Sequence, residues 1–389
     1  MIATEIPRFP VEAHIRGARG RRVPLNCLFE LTPTCNLRCQ FCYVALDPYK
    51  GPYLSTDQIK SILDKLEGAG VLWLTLTGGE IFSRRDFPEI YLYARGKGFL
   101  VTLFSNATMM NERLAELFAE HPPFLVEVSI YGPNAEIYER TTQIPGSFAR
   151  FERGITLLQK CGAPLVLKTP MSVFTQDHLA ELAAFAKARG LRYKVDTAMD
   201  ARHDGGSEPV VYRIAPRRVK ELHAEMDQLN GRVEVTSEGA SAMTEAPSHL
   251  AGPAPVGDCS TTAADAGPED LYRCGAGRTG LFIDALGNAS HCVIDREPSF
   301  PLLNMEWDEV WERMGAWVTQ PLPKDAPCSG CTLRKKCASC PARSRLATGS
   351  PYLKDPYYCD VTHVVNGLEP VVHPDYRTMA PRTLGACAS

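Results

Sequence analysis

No run of apolar residues in this chain approaches the length of a membrane span, and none near Met1 has the apolar core of a signal peptide. Positive charge is not in surplus either. The 42 Lys and Arg stand against 45 Asp and Glu, for a formal net charge of -3. That balance excludes a general nucleic-acid binder, because such binding leans on excess basic side chains. The Arg-rich opening (Arg16, Arg19, Arg21, Arg22) reads as a solvated terminus. Without a secretion signal, the 14 Cys lack the oxidising setting in which they would pair as disulfides. They point to metal instead, in a cytoplasmic protein with neither membrane nor nucleic-acid partners.

What is present is a chain of 389 residues, 44% hydrophobic, long enough for a large core and two domains. Apolar strands are predicted at Leu25–Leu31, Val71–Leu76, Phe99–Phe104, Phe124–Ile130, Leu165–Thr169 and Leu191–Asp196. Helices are predicted between them. One follows an N-cap at Ser55 and runs over Thr56–Ala69; another is capped by Asp86 and ends near Lys97. Asn111–Glu120, Ser147–Lys160 and Gln176–Arg189 are the others. Strictly alternating strands and helices imply parallel pairing with right-handed crossovers. The near-continuous Val/Leu/Ile/Phe character predicts a sheet buried on both faces. Spacing leaves an open sheet and a partial barrel equally allowed.

Directly after the first strand comes Cys35-Asn36-Leu37-Arg38-Cys39-Gln40-Phe41-Cys42. Spacings of three and two residues let one short loop wrap three sulfurs round a compact inorganic centre. A [4Fe–4S] cube takes four ligands, usually thiolates, so one iron would stay open to another molecule. A zinc loop is the alternative, but zinc wants a fourth protein ligand near at hand, and no further His or Cys stands close behind Cys42.

This triplet, with an aromatic just before its third Cys, resembles the radical S-adenosylmethionine (radical SAM) enzymes. The resemblance implies a partial (β/α)6 TIM-like barrel of the α/β class, with the open iron chelated by the amino and carboxylate groups of SAM. Thr77-Gly78-Gly79-Glu80, after the second strand, is similar to the family's Gly-Gly-Glu motif. It implies that Glu80 accepts hydrogen bonds from SAM's ammonium, with Gly78 and Gly79 allowing close backbone approach. Ser105-Asn106 resembles the pair that reaches the ribose, while Ser129 and Arg140 match the Ser and Arg that hold the carboxylate. An Arg fork suits that task because it binds a carboxylate bidentately. As turn and surface residues, Asn106 and Arg140 also have plain structural readings. Phe41 and Tyr43 are set to lie against adenine or to pack inside the loop, and Lys168 is a weaker candidate that also reads as solvated.

The character changes after Ala201. One helix is predicted over Arg217–Leu229, then residues 237–270 are rich in Ala, Gly, Ser, Thr and Pro and read as a linker. Beyond it, Cys274 precedes a predicted hairpin, Gly280–Asp284 and Ala289–Ile294, turned at Gly287-Asn288. Cys292, Cys328, Cys331, Cys337, Cys340 and Cys359 complete a pattern that resembles the SPASM domain, which carries two auxiliary [4Fe–4S] clusters. By that analogy Cys328, Cys331, Cys337 and Cys359 hold one cluster, and Cys274, Cys292 and Cys340 the other. Cys259 is the candidate fourth ligand of the second, the alternative being a site open to substrate. One departure is that only Ala338-Ser339 separate Cys337 from Cys340, where the family leaves three residues. Cys27, Cys161 and Cys387 read as core, helix-end and tail residues.

The expected organisation is an N-terminal arm (1–24), the barrel (25–200), a helix and linker (201–270), the Cys-rich domain (271–360) and a tail (361–389). The resemblance implies reductive cleavage of SAM to methionine and a 5'-deoxyadenosyl radical, which takes hydrogen from an unactivated C–H. The favoured substrate is a ribosomally made precursor peptide that gains a crosslink or an oxidised residue. Alternatives are formylglycine formation of the sulfatase-maturase kind and a radical dehydrogenase acting on a sugar or other small molecule. An external electron donor of flavodoxin or ferredoxin type is implied. The roughly twenty-five residues before the first strand are too few for a leader-binding domain, so a separate small protein or a sheet edge would take that part.

Overall fold

Ser55 sets the first helix as its sequence requires. Its hydroxyl accepts from the Gln58 amide at 3.3 Å, while the Gln58 side chain accepts from the Ser55 amide at 2.9 Å, a reciprocal capping box. The structure, a computed structural model, describes residues 17–18, 20–44, 52–229, 270–337 and 340–371. Cys259, Cys387 and most of the arm, linker and tail lie outside the described residues.

Six strands, β1 (Asn26–Thr32), β2 (Trp73–Gly78), β3 (Leu100–Ser105), β4 (Leu125–Ser129), β5 (Leu165–Pro170) and β6 (Arg192–Asp196), pair in parallel with their neighbours. Between them run α1 (Thr56–Gly68), α2 (Phe87–Gly96), α3 (Glu112–Glu120), α4 (Ala135–Thr142), α5 (Ser147–Lys160) and α6 (Leu179–Ala188). The result is an α/β fold whose parallel strands form a partial barrel, as expected. Asp86 precedes α2 but makes no side-chain cap; its carboxylate instead takes Arg84 at 2.6 Å and the Thr56 hydroxyl at 2.6 Å. An adjacent guanidinium outcompetes the helix amides for the same oxygens.

The sheet does not stop at the barrel. After α7 (Pro216–Leu229) the chain returns as β7 (Gly280–Ile283), parallel to β1, then β8 (Asn288–Ser290) and β9 (Phe300–Pro301) add on antiparallel. The strand order is β6-β5-β4-β3-β2-β1-β7-β8-β9. The expected hairpin is present, with a shorter second strand. Three further helices follow, α8 (Trp307–Val318), α9 (Pro341–Thr348) and α10 (Pro356–Val365).

The two faces of the sheet differ. Cys27, Phe29 and Leu31 of β1 pack with Ile59, Ile62 and Leu63 of α1 in the main core, as do Val126 and Val128 of β4 and Leu167 of β5. The alternate positions are largely polar: Glu30 and Thr32, Thr75 and Thr77, Glu127, Lys168, then Lys194 and Asp196. β1 is buried along its whole length, on both faces as expected, but the inner face of the sheet is largely polar and carries ion pairs. Glu127 lies 3.5 Å from Lys168 and 3.1 Å from Lys194, and Lys168 lies 3.2 Å from Asp196. Lys168 is therefore paired rather than solvated.

One ion pair joins the C-terminal part to β1. Arg296 meets Glu30 at 2.8 Å, and Glu30 is 2% exposed. Burial pushes the Glu30 carboxyl up, against the opposing pull of Arg296. A carboxyl raised in the folded state contributes stability at low pH that is lost as pH rises. Arg296→Leu removes the compensating charge and raises it further. Chemical denaturation should therefore show a loss of about 3 kcal/mol at pH 8, shrinking toward pH 5 as Glu30 takes a proton. A loss independent of pH would mean that packing, not charge, is what Arg296 supplies.

Candidate active site

The Cys loop sits at the C-terminal end of β1, where parallel α/β architectures place their chemistry. Its shape is set by neighbours on both sides. The amides of Arg38 and Gln40, between the cysteines, donate to the carbonyls of Thr142 (3.0 Å) and Thr141 (3.3 Å) at the end of α4. Helix-end carbonyls need such donors, so the loop and α4 satisfy each other. Leu37 is buried beneath, and the Cys42 amide closes a turn on the Cys39 carbonyl at 3.1 Å.

On the other side stands the Gly78-Gly79-Glu80 turn. The Gly79 amide donates to the Thr32 carbonyl and the Glu80 amide to the Thr34 carbonyl, both at 2.8 Å. The backbones are so close that a Cβ on Gly79 would lie 2.4 Å from the Thr34 oxygen, and one on Gly78 2.2 Å from the Thr32 oxygen. Both glycines are thus required by close approach to the segment that leads into Cys35.

Glu80 has no exposed surface. Its carboxylate accepts from the Phe82 amide (3.1 Å), the Ser105 hydroxyl (2.8 Å) and the Asn106 amide (2.7 Å). Burial nevertheless raises its pKa to about 7, since desolvation outweighs those three bonds. Asn106 continues the network: its side-chain amide donates to Asn36 at 3.2 Å and approaches the Cys35 sulfur at 3.7 Å, and its oxygen accepts from Thr108. It is no ordinary turn residue.

The other candidates are placed less uniformly. Phe41 is buried against the Tyr131 ring, with centroids 6.0 Å apart, and Tyr43 lies edge-on to His203. Tyr131 acts on both Cys39 and Ser129, which brings Ser129 into the neighbourhood of the loop. Arg140 stands apart near the end of α4, exposed, with its guanidinium 5.0 Å from the centre of the Phe174 ring. No ion pair to it is seen among the described residues. Tyr131 and Glu30, both acting on the cysteines, escaped the sequence reading. The single charge in each of β1 and β4, Glu30 and Glu127, was the signal for the inner face, hidden by the apolar residues around it.

Burial pushes the Cys35 thiol up to about 12 and the Cys39 thiol well above its ordinary value, and the neighbouring thiolates add to both. Cys42 is raised by burial and by Glu30. A cation is what such a site is short of. Yet among the described residues no three His, Cys, Asp or Glu side chains are gathered to hold a single metal ion. Three thiols on one short loop suit an iron–sulfur cluster with an open iron.

A second set lies in the C-terminal part. Cys328, Cys331, Cys337 and Cys359 line one cavity of about 970 Å³ of open space, and Cys274 and Cys340 share its wall. Cys274, Cys292 and Cys340 pack with Ala276 and Ala342. Burial, then the nearby Cys340, raises Cys292 to about 12. Cys27 is a buried core residue, and Cys161 caps α5 with its thiol on the Leu158 carbonyl at 3.2 Å.

Residues 29–186 match the Radical SAM superfamily. That stretch of the chain is a radical SAM domain. Such a domain implies a [4Fe–4S] cluster and SAM, and the Cys35 loop has the donor set for the cluster. The chain is 27% identical over 363 residues to an AdoMet-dependent heme synthase of Methanosarcina barkeri, covering 86% of this chain and 96% of that protein. It is also 27% identical over 338 residues to the mycofactocin maturase MftC of Mycobacterium ulcerans, covering 85% and 86%. In fold it is similar to Streptococcus suis SuiB bound to S-adenosylmethionine, with a TM-score of 0.65, 17% identity, and coverage of 89% of this chain and 80% of that one. No described helix is long and apolar enough to cross a membrane.

Gly79→Ala should cost roughly 1–3 kcal/mol, because backbone on the facing segment must move. It should also lower the iron retained on reconstitution, since that segment carries Cys35. Gly68→Ala, with open space around it in α1, is the control and should gain stability, by up to about 1 kcal/mol. Thermal unfolding with iron analysis checks both; equal Tm values for the two variants would refute the close-approach argument.

Proposed function

We infer that this radical SAM enzyme matures a peptide, using SAM at the Cys35 loop and iron–sulfur clusters in a SPASM-type C-terminal domain (271–360). The observation that carries the reading is the gathering of Cys328, Cys331, Cys337 and Cys359 on one cavity, in a chain alignable over most of its length with MftC. Bound at the loop, the cluster and SAM supply one-electron reductive cleavage and a hydrogen-abstracting radical. The chain's own residues have separate tasks. Cys35, Cys39 and Cys42 hold the cluster, with Asn106 steadying Cys35. Glu80 takes SAM's ammonium, which would replace the Ser105 hydroxyl among its donors, and Gly78 and Gly79 bring the backbone close. Ser105 and Asn106 serve the ribose, Ser129 and Arg140 the carboxylate, and Phe41 the adenine.

Cys274, Cys292 and Cys340, with Cys259 or a substrate group as fourth ligand, hold the second auxiliary cluster. A flavodoxin- or ferredoxin-type donor supplies electrons, and a separate small protein presents the peptide leader. A second reading, a small-molecule substrate, is favoured by the heme synthase alignment, which spans 96% of that relative.

The test is anaerobic reconstitution to about twelve irons per chain, four per cube, then reaction with SAM, reductant and candidate peptides followed by mass spectrometry. A changed peptide mass is expected. Replacing Cys35, Cys39 and Cys42 by Ala should abolish 5'-deoxyadenosine formation. Replacing Cys328, Cys331 and Cys337 should spare uncoupled cleavage while blocking product. Stoichiometric zinc with about four irons would sink the C-terminal assignment and leave the barrel reading.

SAM affinity tests the residue roles. A hydrogen bond to a charged group contributes about 1.5–3 kcal/mol, so Glu80→Gln or Arg140→Ala should weaken binding about ten- to a hundredfold. Arg140→Lys should fall between, keeping charge without the fork. In the unsubstituted enzyme affinity should fall below pH 7, because Glu80 must shed its proton to receive an ammonium. Calorimetric titration decides; unchanged affinity in Arg140→Ala removes that residue from the site.

A further inference from the structure

A second cavity, of about 510 Å³ of open space, lies where the segment after β6 meets α9 and α10. Two acid–base pairs face it, and they differ. Asp200 takes the Arg343 Nε at 3.2 Å and the Tyr358 hydroxyl at 2.9 Å. Arg213 and Asp355 do not close on each other. Their nearest approach, Nη2 to Oδ2, is 4.0 Å, beyond hydrogen-bond reach. Each is held in place through its other atoms. The Arg213 Nε donates to the Met199 carbonyl at 2.7 Å, and its guanidinium lies 4.5 Å from the centre of the Tyr357 ring. The Asp355 Oδ1 caps α10, accepting from the amides of Tyr357 (2.9 Å) and Tyr358 (3.3 Å). That leaves the Asp355 Oδ2 without a hydrogen-bond partner, on a residue 1% exposed. No hydrogen bond from the terminal nitrogens of Arg213 is seen among the described residues.

A buried carboxylate oxygen left unpaired is costly, so the gap calls for a partner. That partner must donate to Asp355 and accept from Arg213 within the same few ångströms. An ammonium and a carboxylate on one carbon do both. The rest of the wall is largely apolar, with Val210, Leu346, Ala347 and Pro356. We propose that this cavity binds a free α-amino acid with an apolar side chain. Its carboxylate lies on the Arg213 fork, its ammonium on the Asp355 Oδ2, and its side chain against Val210, Leu346 and Pro356. An ammonium suits Asp355 better than a peptide amide does, because Arg213 is then shared with the ligand's carboxylate and the buried acid needs a cation of its own. Arg213 belongs to the segment that brings His203 onto Tyr43 of the Cys loop, and Asp355 caps the helix that carries Cys359. The ligand therefore bridges elements that reach both cysteine regions.

The experiment is calorimetric titration of L-leucine into the anaerobically reconstituted full-length chain, with SAM in excess so that the groups assigned to SAM are already occupied. One saturable site is expected, with a matching rise in Tm. L-Leucinamide, which lacks the carboxylate, and N-acetyl-L-leucine, which lacks the ammonium, should each bind about ten- to a hundredfold more weakly. Asp355→Asn keeps an N-cap and should weaken leucine while sparing N-acetyl-L-leucine. Arg213→Gln should weaken both. Leu346→Trp fills the apolar part of the cavity, leaves both polar contacts in place and should abolish binding; it decides if a polar variant fails to fold. No saturable binding of leucine up to millimolar concentration overturns the proposal, the gap then being bridged by water. N-acetyl-L-leucine bound as tightly as leucine overturns the free amino acid in favour of a peptide C-terminus. Leucine affinity unchanged in Arg213→Gln or in Leu346→Trp places the ligand elsewhere and overturns the site.

Discussion

Two backbone hydrogen bonds, from Gly79 to Thr32 and from Glu80 to Thr34, hold the site together. They tie the end of β2 to the segment that opens the Cys loop, at a separation only glycine permits. Everything nearby takes its position from that seam. Glu80 is carried beneath the loop, where Ser105 and Asn106 from the end of β3 reach it. Asn106 in turn touches Asn36 and Cys35, closing a ring of contacts over three consecutive strand ends. A buried polar network of this kind is stable only when its members are satisfied, which explains why loop, turn and strand ends are interlocked rather than separately placed.

The inner face of the sheet is equally constrained. Glu127, Lys168, Lys194 and Asp196 form a chain of ion pairs across three strands, and Glu30 with Arg296 adds another at β1. Such pairs contribute little net stability, because desolvation offsets attraction. Lys168 keeps its proton there, since burial alone would lower its pKa but Asp196 and Glu127 outweigh it.

Much of this was legible in the sequence. The six strands fall within a few residues of their predicted places, because alternating strand and helix patterns leave little freedom in a parallel fold. The Cys triplet and Gly-Gly-Glu turn were legible because their chemistry is written in adjacent residues. What was hidden depends on pairing across distance. Glu30 looked like a lone charge in an apolar strand until Arg296, 266 residues later, met it. Arg140 was legible as a residue type in the right helix, but its stacking on Phe174 required the fold. Asp86 looked like a cap until Arg84 claimed it, a competition that sequence spacing does not rank.

The pairing of β7 with β1 has a consequence for how the two cysteine regions work together. Asn26 to Phe29 lie in register with Gly280 to Ile283, so the hairpin that precedes Cys292 is hydrogen-bonded to the strand that precedes Cys35. Leu281, Ile283, Phe300, Val310 and Met314 belong to the same apolar core as the helix-covered face of β1. Swinging the C-terminal part away would break that ladder and expose that core, so a hinge between the two regions is costly. The distance between the Cys35 loop and the C-terminal cavity is therefore set by a shared sheet, not by the linker in sequence between them. A substrate that must face both regions gains from that fixed span, because nothing further has to be ordered when it binds.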